Sequence, residues 1–222
     1  MWDSSVISML VEGIRDTLYM TIVSTILGYA VGLPMGVLLA VTDKDGIKPN
    51  AIVYKILDVI SNIIRSIPFL ILLILLIPFT RALVGKSYGS TATIVPLVVC
   101  AAPYIGRMVE SSLKEVDGGV VEAARAMGAT NWQIIWKVLL VEARPSLIVG
   151  ATICTGTILG YSAMSGTVGG GGLGDIAVRY GYYRWQTDIM IVTVVLLIIL
   201  FQIFQNVGMK CSSKLDHRKH IS

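Results

Sequence analysis

The run LYMTIVSTILGYAVGLPMGVLLAV, from Leu18 to Val41, contains no charged side chain. A helix rises about 1.5 Å per residue, so roughly 20 apolar residues cross a hydrocarbon core of about 30 Å. The run is long enough to do so. It is continuous rather than alternating with a period of two, which sets strands aside. Inside lipid every backbone group must be satisfied within the structure, so a helix is the expected form.

Four further stretches read the same way: Ile56 to Phe79, Ser87 to Gly106 (shorter, with Pro96 and Pro103), Pro145 to Val168, and Ile189 to Val207. The whole chain agrees with them. Of its 222 residues 55% are apolar and only 14% charged, where a soluble domain carries about 25% charge; its mean hydropathy is +0.76. The expected fold class is an all-α membrane protein with five transmembrane helices. A segment 1–17 precedes the membrane domain 18–207, and a tail 208–222 follows it. Met1 to Thr17 holds Asp3, Glu12 and Asp16 against a single Arg15. It lacks the basic start of a cleavable signal, so the first run is expected to remain as a span.

Lys and Arg in the loops set the orientation. Lys44, Lys48 and Lys55, then Arg107, Lys114, Arg125, Lys137 and Arg144, then Lys210, Lys214, Arg218 and Lys219 fall on one side, twelve in all. Arg15, Arg81, Lys86, Arg179 and Arg184, five in all, fall on the other. The expectation is an external N-terminus and a cytoplasmic C-terminus. The net charge of +4 is spread over these loops and forms no basic stripe, which argues against nucleic acid. Arg65 is left within the second span, with two readings open: a side chain snorkelling to the membrane edge, or a pore or packing role.

Cys100, Cys154 and Cys211 are scattered and odd in number, so they read as small buried hydrophobes and form no metal or disulfide framework. His217 and His220 in the tail have no third ligand nearby and read as solvated tail. Gly28, Gly32 and Gly36 recur every four residues in the first span, and Thr152, Gly156 and Gly160 in the fourth. Such stripes let helices approach closely, and packing within the chain is the expected use of the first.

The loop 107–144 is too long for a connector and too short for a domain. Val120, Ala123, Ala124 and Met127 make one helical face. Glu122 and Arg125 lie off that face and can pair, and Gly128 supplies a left-handed stop. Thr130 with Gln133 is a capping-box pattern. Trp132, Ile135, Trp136, Leu139 and Leu140 form the stripe of a second helix. The periodicity fits a helix pair lying on the membrane surface. The small-residue first helix also suits insertion into a groove on another protein.

Glu122-Ala123-Ala124, three residues, Gly128, nine residues, then Val138-Leu139-Leu140 resembles the EAA loop of ABC importer permeases, EAA-x3-G-x9-I-x-L-P. Val138 replaces the Ile, and Val141 stands where the family has Pro. Arg65-Ser66-Ile67-Pro68-Phe69-Leu70, the block from Glu122 to Leu140, and Ser162 to Met190 are similar to methionine importer permeases. The likeness covers roughly residues 10–208. It implies a type I importer permease, a multi-pass protein of the bacterial cytoplasmic membrane working with a second copy of itself. It further implies two ATP-binding subunits, which would hold the ATP, so that no cofactor belongs to this chain. A substrate-binding lipoprotein or periplasmic protein would deliver D- or L-methionine. ATPase coupling would fall to Glu122, Ala123, Ala124 and Gly128, and the fourth helix would line the path. Met164, one turn beyond the stripe of that helix, is expected to gate the pore or to fill a gap between helices, with Tyr161 and Ser165 beside it.

The Gly169–Gly174 run satisfies GxGxxG trivially. It follows a membrane helix rather than a strand, so it reads as a flexible, close-approach loop where a binding protein docks. A permease for another small amino acid remains an alternative. A stand-alone secondary transporter would show repeats and mid-span carboxylates, and neither is seen. An intramembrane enzyme would need a buried nucleophile and base, or a metal cluster, which the spans lack. No Walker motif is present, so a partner's nucleotide-driven closure is expected to act through the loop and bias the fourth span.

Overall fold

The computed structural model describes residues 3–215, and His217 and His220 lie outside them. Among the described residues the regular structure is entirely helical. Helix α1, Ser4–Thr42, begins well ahead of Leu18. The Asp3 carboxylate accepts from the Ser4 amide at 2.7 Å and caps it. Val6, Leu10, Gly13 and Thr17, at helical spacing, are why the early turns form, since they have partners to bury against.

The expected second span, 56–79, is a correction. It is broken into α2, Ala51–Ser66, and α3, Phe69–Leu75, with a bend of 101° between them. The cause lies in the sequence: Pro68 disfavours the helical region for Ile67 and removes a backbone donor. Helix α4, Ile77–Val84, stops at Gly85, whose φ of 78° only glycine takes freely.

Helix α5, Ser90–Lys114, accommodates Pro96 and Pro103 and is the most covered of the long helices. Helices α6, Gly118–Ala126, and α7, Asn131–Ile134, follow. A π-helical turn, Ile135–Leu139, leads to α8, Leu140–Glu142, and α9, Arg144–Ser165. Val141, where the family pattern has Pro, thus stays helical, and Pro145 stands in the first turn of α9. A short 3₁₀ turn, Gly166–Val168, precedes α10, Gly172–Ile176. A second π turn, Ala177–Tyr182, precedes α11, Thr187–Leu215. Helices α1, α5, α11 and the stretch beginning with α9 are long and apolar enough to cross a membrane, and the bent pair α2–α3 passes the same test when its two helices are taken together.

The chain divides into two compact units. One comprises Met1–Gly28, Ile67–Ala101 and Cys154–Gln205. Its core gathers Leu10, Leu173, Ile176 and Ile189. The glycine run is built into this unit rather than left as a flexible loop. Gly89 donates to the Gly169 carbonyl at 2.9 Å, Thr93 to that of Gly170 at 3.2 Å, and Leu173 to the Thr17 hydroxyl at 2.9 Å. The close approach expected of it is present: a side chain at Gly174 would collide with the Ala163 backbone.

The other unit comprises Tyr29–Ser66, Ala102–Ile153 and Asn206–Ser222. Here Gly32 and Gly36 pack on α5. A Cβ on Gly32 would lie 2.6 Å from the Ala102 carbonyl oxygen, so the first glycine stripe serves packing within the chain. Gly208 abuts Thr152, and the Ser212 hydroxyl donates to the Pro145 carbonyl at 3.1 Å. Cys100 and Cys154 are buried as expected, but Cys211 is exposed.

Candidate functional site

Helix α6 starts where the Asp117 carboxylate accepts from the Gly119 amide at 2.8 Å. It ends in a Schellman motif. Gly128, at φ 83°, donates to Arg125, and Ala129 donates to Ala124 at 3.0 Å. Thr130 and Gln133 then form the capping box that opens α7. The two helices therefore turn a fixed corner at Gly128.

The expected apolar face divides. Ala124 is buried, whereas Val120, Ala123 and Met127 are exposed, Met127 by 83%. Gly128 and Glu122 are exposed as well. Glu122 and Arg125 do not pair. Arg125 instead donates to the Ile47 carbonyl at 2.8 Å, a partner distant in sequence that helical spacing could not disclose.

The second helix departs from its expected stripe. The π turn inserts a residue into the period, so Ile134 and Leu139, five apart, point inward. Trp132 and Trp136 are left exposed, their ring centroids 5.4 Å apart.

The residues assigned to the path do not share one environment. Met164 is 53% exposed, beyond Gly160, around which no atom would meet an added Cβ. Gly156, lower on the same stripe, packs against the Phe201 ring. Tyr161 stacks on Phe69, centroids 4.6 Å apart, just after the Pro68 break. Ser165 is fully buried, donates to the Ser162 carbonyl at 2.6 Å and contacts Gly170. Within the chain it sits buried against the glycine corner. Arg65 is exposed in the last turn of α2, where a cation complements the carbonyl end of a helix.

One group escaped the sequence reading. On α5, Arg107 pairs with Glu110 at 2.7 Å and with Asp58 of α2. Lys114 bridges Glu110, 2.7 Å, and Asp43, 2.9 Å. Tyr54 donates to Glu110 at 3.2 Å, and Lys114 lies over its ring. Glu110 is buried, and it is tolerated because both neighbouring cations and a phenol satisfy it. The i, i+3, i+7 spacing of Arg107, Glu110 and Lys114 was the available signal. The hydrogen bond from Lys114 also holds the Asp43 carboxyl below the usual carboxylate range.

The model of the family described as "Binding-protein-dependent transport system inner membrane component" matches residues 32–208. The chain belongs to this family. As an inner-membrane transport component it is a transport permease, and its fold is that of the type I importer permeases. It is 50% identical over 203 residues to a probable D-methionine transport system permease protein MetI of Vibrio cholerae, covering 91% of this chain and 90% of that one. With the D-methionine transport system permease protein MetI of Escherichia coli K12 it shares 56% identity over 158 residues, 71% of this chain and 73% of that one. A solved structure of the inward-facing MetNI methionine ABC transporter aligns with a TM-score of 0.96 at 49% identity, covering 97% of this chain and all of that one.

Proposed function

We propose that this chain is the membrane-spanning subunit of an ATP-driven importer that carries methionine, D or L, into the cell. The observation that carries the substrate assignment is the 50% identity, over nine-tenths of both chains, to a D-methionine permease. Two copies form the pathway, two partner subunits bind and hydrolyse ATP, and an external binding protein delivers the substrate. The N-terminus lies outside and the C-terminus in the cytoplasm.

Coupling runs through Glu122, Ala123, Ala124 and Gly128, in and just after α6 in the segment between α5 and α9. Exposed Val120, Ala123 and Met127, backed by buried Ala124 and closed by the Gly128 corner, give α6 a small, apolar, shape-fixed surface. Such a surface fits a groove on a partner. Met164 and Tyr161 border the substrate path. Ser165 supports that helix from behind.

Proteoliposomes holding the full complex should take up labelled methionine in preference to a panel of other amino acids, with ATP required inside. Faster uptake of another amino acid at equal concentration would overturn the substrate assignment. Cysteines placed at Ser4 and Ser213 should label from opposite faces of the membrane, and labelling from one face would overturn the orientation.

A further inference from the structure

We infer that α6 acts on α2 through the loop 43–50 and the ion network around buried Glu110, with Lys114 as the central positioning residue. This rests on the reading of α6 as the ATPase contact.

The first link is Arg125, in the last turn of α6, which donates to the Ile47 carbonyl at 2.8 Å. The loop that carries Ile47 is internally tied. Gly46 donates to Asp43 at 2.9 Å, Lys48 to Val41 at 3.0 Å and Asn50 to Thr42 at 2.9 Å. A Cβ on Gly46 would meet the Ala40 carbonyl oxygen at 2.6 Å, so the loop has no slack there. A displacement of Ile47 is therefore carried to Asp43.

Asp43 then grips Lys114, Lys114 grips Glu110, Glu110 grips Arg107, and Arg107 reaches Asp58 and Asn62 on α2. The loop also touches α2 directly, since the Asn50 side chain accepts from the Ile52 and Val53 amides at 3.2 Å. Among the residues of α2, Ser61 alone is buried. Apolar packing within the chain therefore does little to hold α2, and its polar ties dominate. Glu110, the carboxylate that both cations grip, is buried, and ion pairs made to a group shielded from water are stronger than fully exposed ones. A pull on the loop thus reaches α2, which ends at the Pro68 break. This route is separate from the covalent one through α8 and α9.

A chain of contacts becomes a coupling path only when energetic coupling along it is measured. The test uses the full complex in proteoliposomes, with Lys114→Met, Asp43→Asn and the double variant. Retention of the ATPase subunits and ATP hydrolysed per methionine imported are both read. All three should retain the ATPases. Each single variant should raise ATP per methionine about fivefold or more, and the double should be no worse than the worse single. Arg125→Met, at an exposed position, should behave alike and be non-additive with Asp43→Asn. Lys114→Arg should restore the ratio. Wild-type ratios in the singles, multiplicative effects in the double, or loss of the ATPases would each overturn the relay. Gly128→Val in the same assay reads the docking surface independently: normal retention and a normal ratio there would overturn the α6 reading itself.

Discussion

Gly128 allows a prediction whose size follows from geometry. Its φ is 83°, and nothing lies within 4 Å of an added Cβ. A substitution therefore meets no steric wall and pays only the conformational cost of the left-handed region. That cost is about 1–2 kcal/mol for an ordinary L residue, smaller for Asn, and larger for a β-branched side chain. A penalty of about 1–2 kcal/mol changes an equilibrium by a factor of roughly 5–30. The corner should open by that factor in Gly128→Ala, less in Gly128→Asn and more in Gly128→Val. The reporter is the Ala129 amide, whose bond to Ala124 closes the motif. Its hydrogen exchange should accelerate in the order Asn, Ala, Val, and affinity for the ATPase should fall in the same order. Uncoupled hydrolysis should be greatest in Gly128→Val. Unchanged exchange of Ala129 in the Val variant, or an Asn variant worse than Val, would refute the reasoning.

Gly32→Ala should destabilise the chain by about 1–3 kcal/mol, because backbone stands 2.6 Å from its Cβ, whereas Gly160→Ala, with open space around it, should leave the detergent melting temperature unchanged. Met164→Ala removes a side chain that is 53% exposed within the chain. The melting temperature should hold while resting liposomes become leaky to small solutes, and a tight, fully active variant would remove Met164 from the gate. Asp43, held low by Lys114, stabilises the folded chain above the unfolded carboxylate pKa of about 4. That contribution disappears as the pH falls through its lower folded value. Melting temperatures of wild type and Asp43→Asn should therefore differ steadily from neutrality down to about pH 4 and converge below it.

The spans were legible because length and apolarity are local properties, and so were the stop at Gly128 and the capping box at Thr130. The break in the second span was also written in the sequence, at Ile67-Pro68, but the unbroken hydropathy on either side concealed it. The π turn at Ile135 shifted a face that a period of 3.6 had assigned, since a one-residue change in helical register leaves no compositional mark. The ion network was hidden for a different reason. Arg107 and Lys114 were counted as loop charges, and their partners Asp58 and Asp43 lie far away in sequence on other elements. Which helix faces meet is decided by packing and not by spacing. For the same reason Arg125 found Ile47 rather than Glu122, and Ser165, one residue beyond Met164 at the end of the expected lining face, turned inward under the glycine run.

The Thr17 hydroxyl bears on how the protein is made. It accepts from the Leu173 amide, 156 positions later in the chain. At roughly 5–20 residues per second of synthesis, the first helix waits about ten to thirty seconds in the bilayer before that partner exists. Throughout that interval the hydroxyl need not face lipid unpaired, because it can donate to the Gly13 carbonyl one turn back, at 2.8 Å in the finished structure. The same oxygen keeps its lone pairs free for the late-arriving amide. Thr17 is thus self-sufficient during insertion and completes a long-range joint at the end of it, which a valine of the same shape could not do.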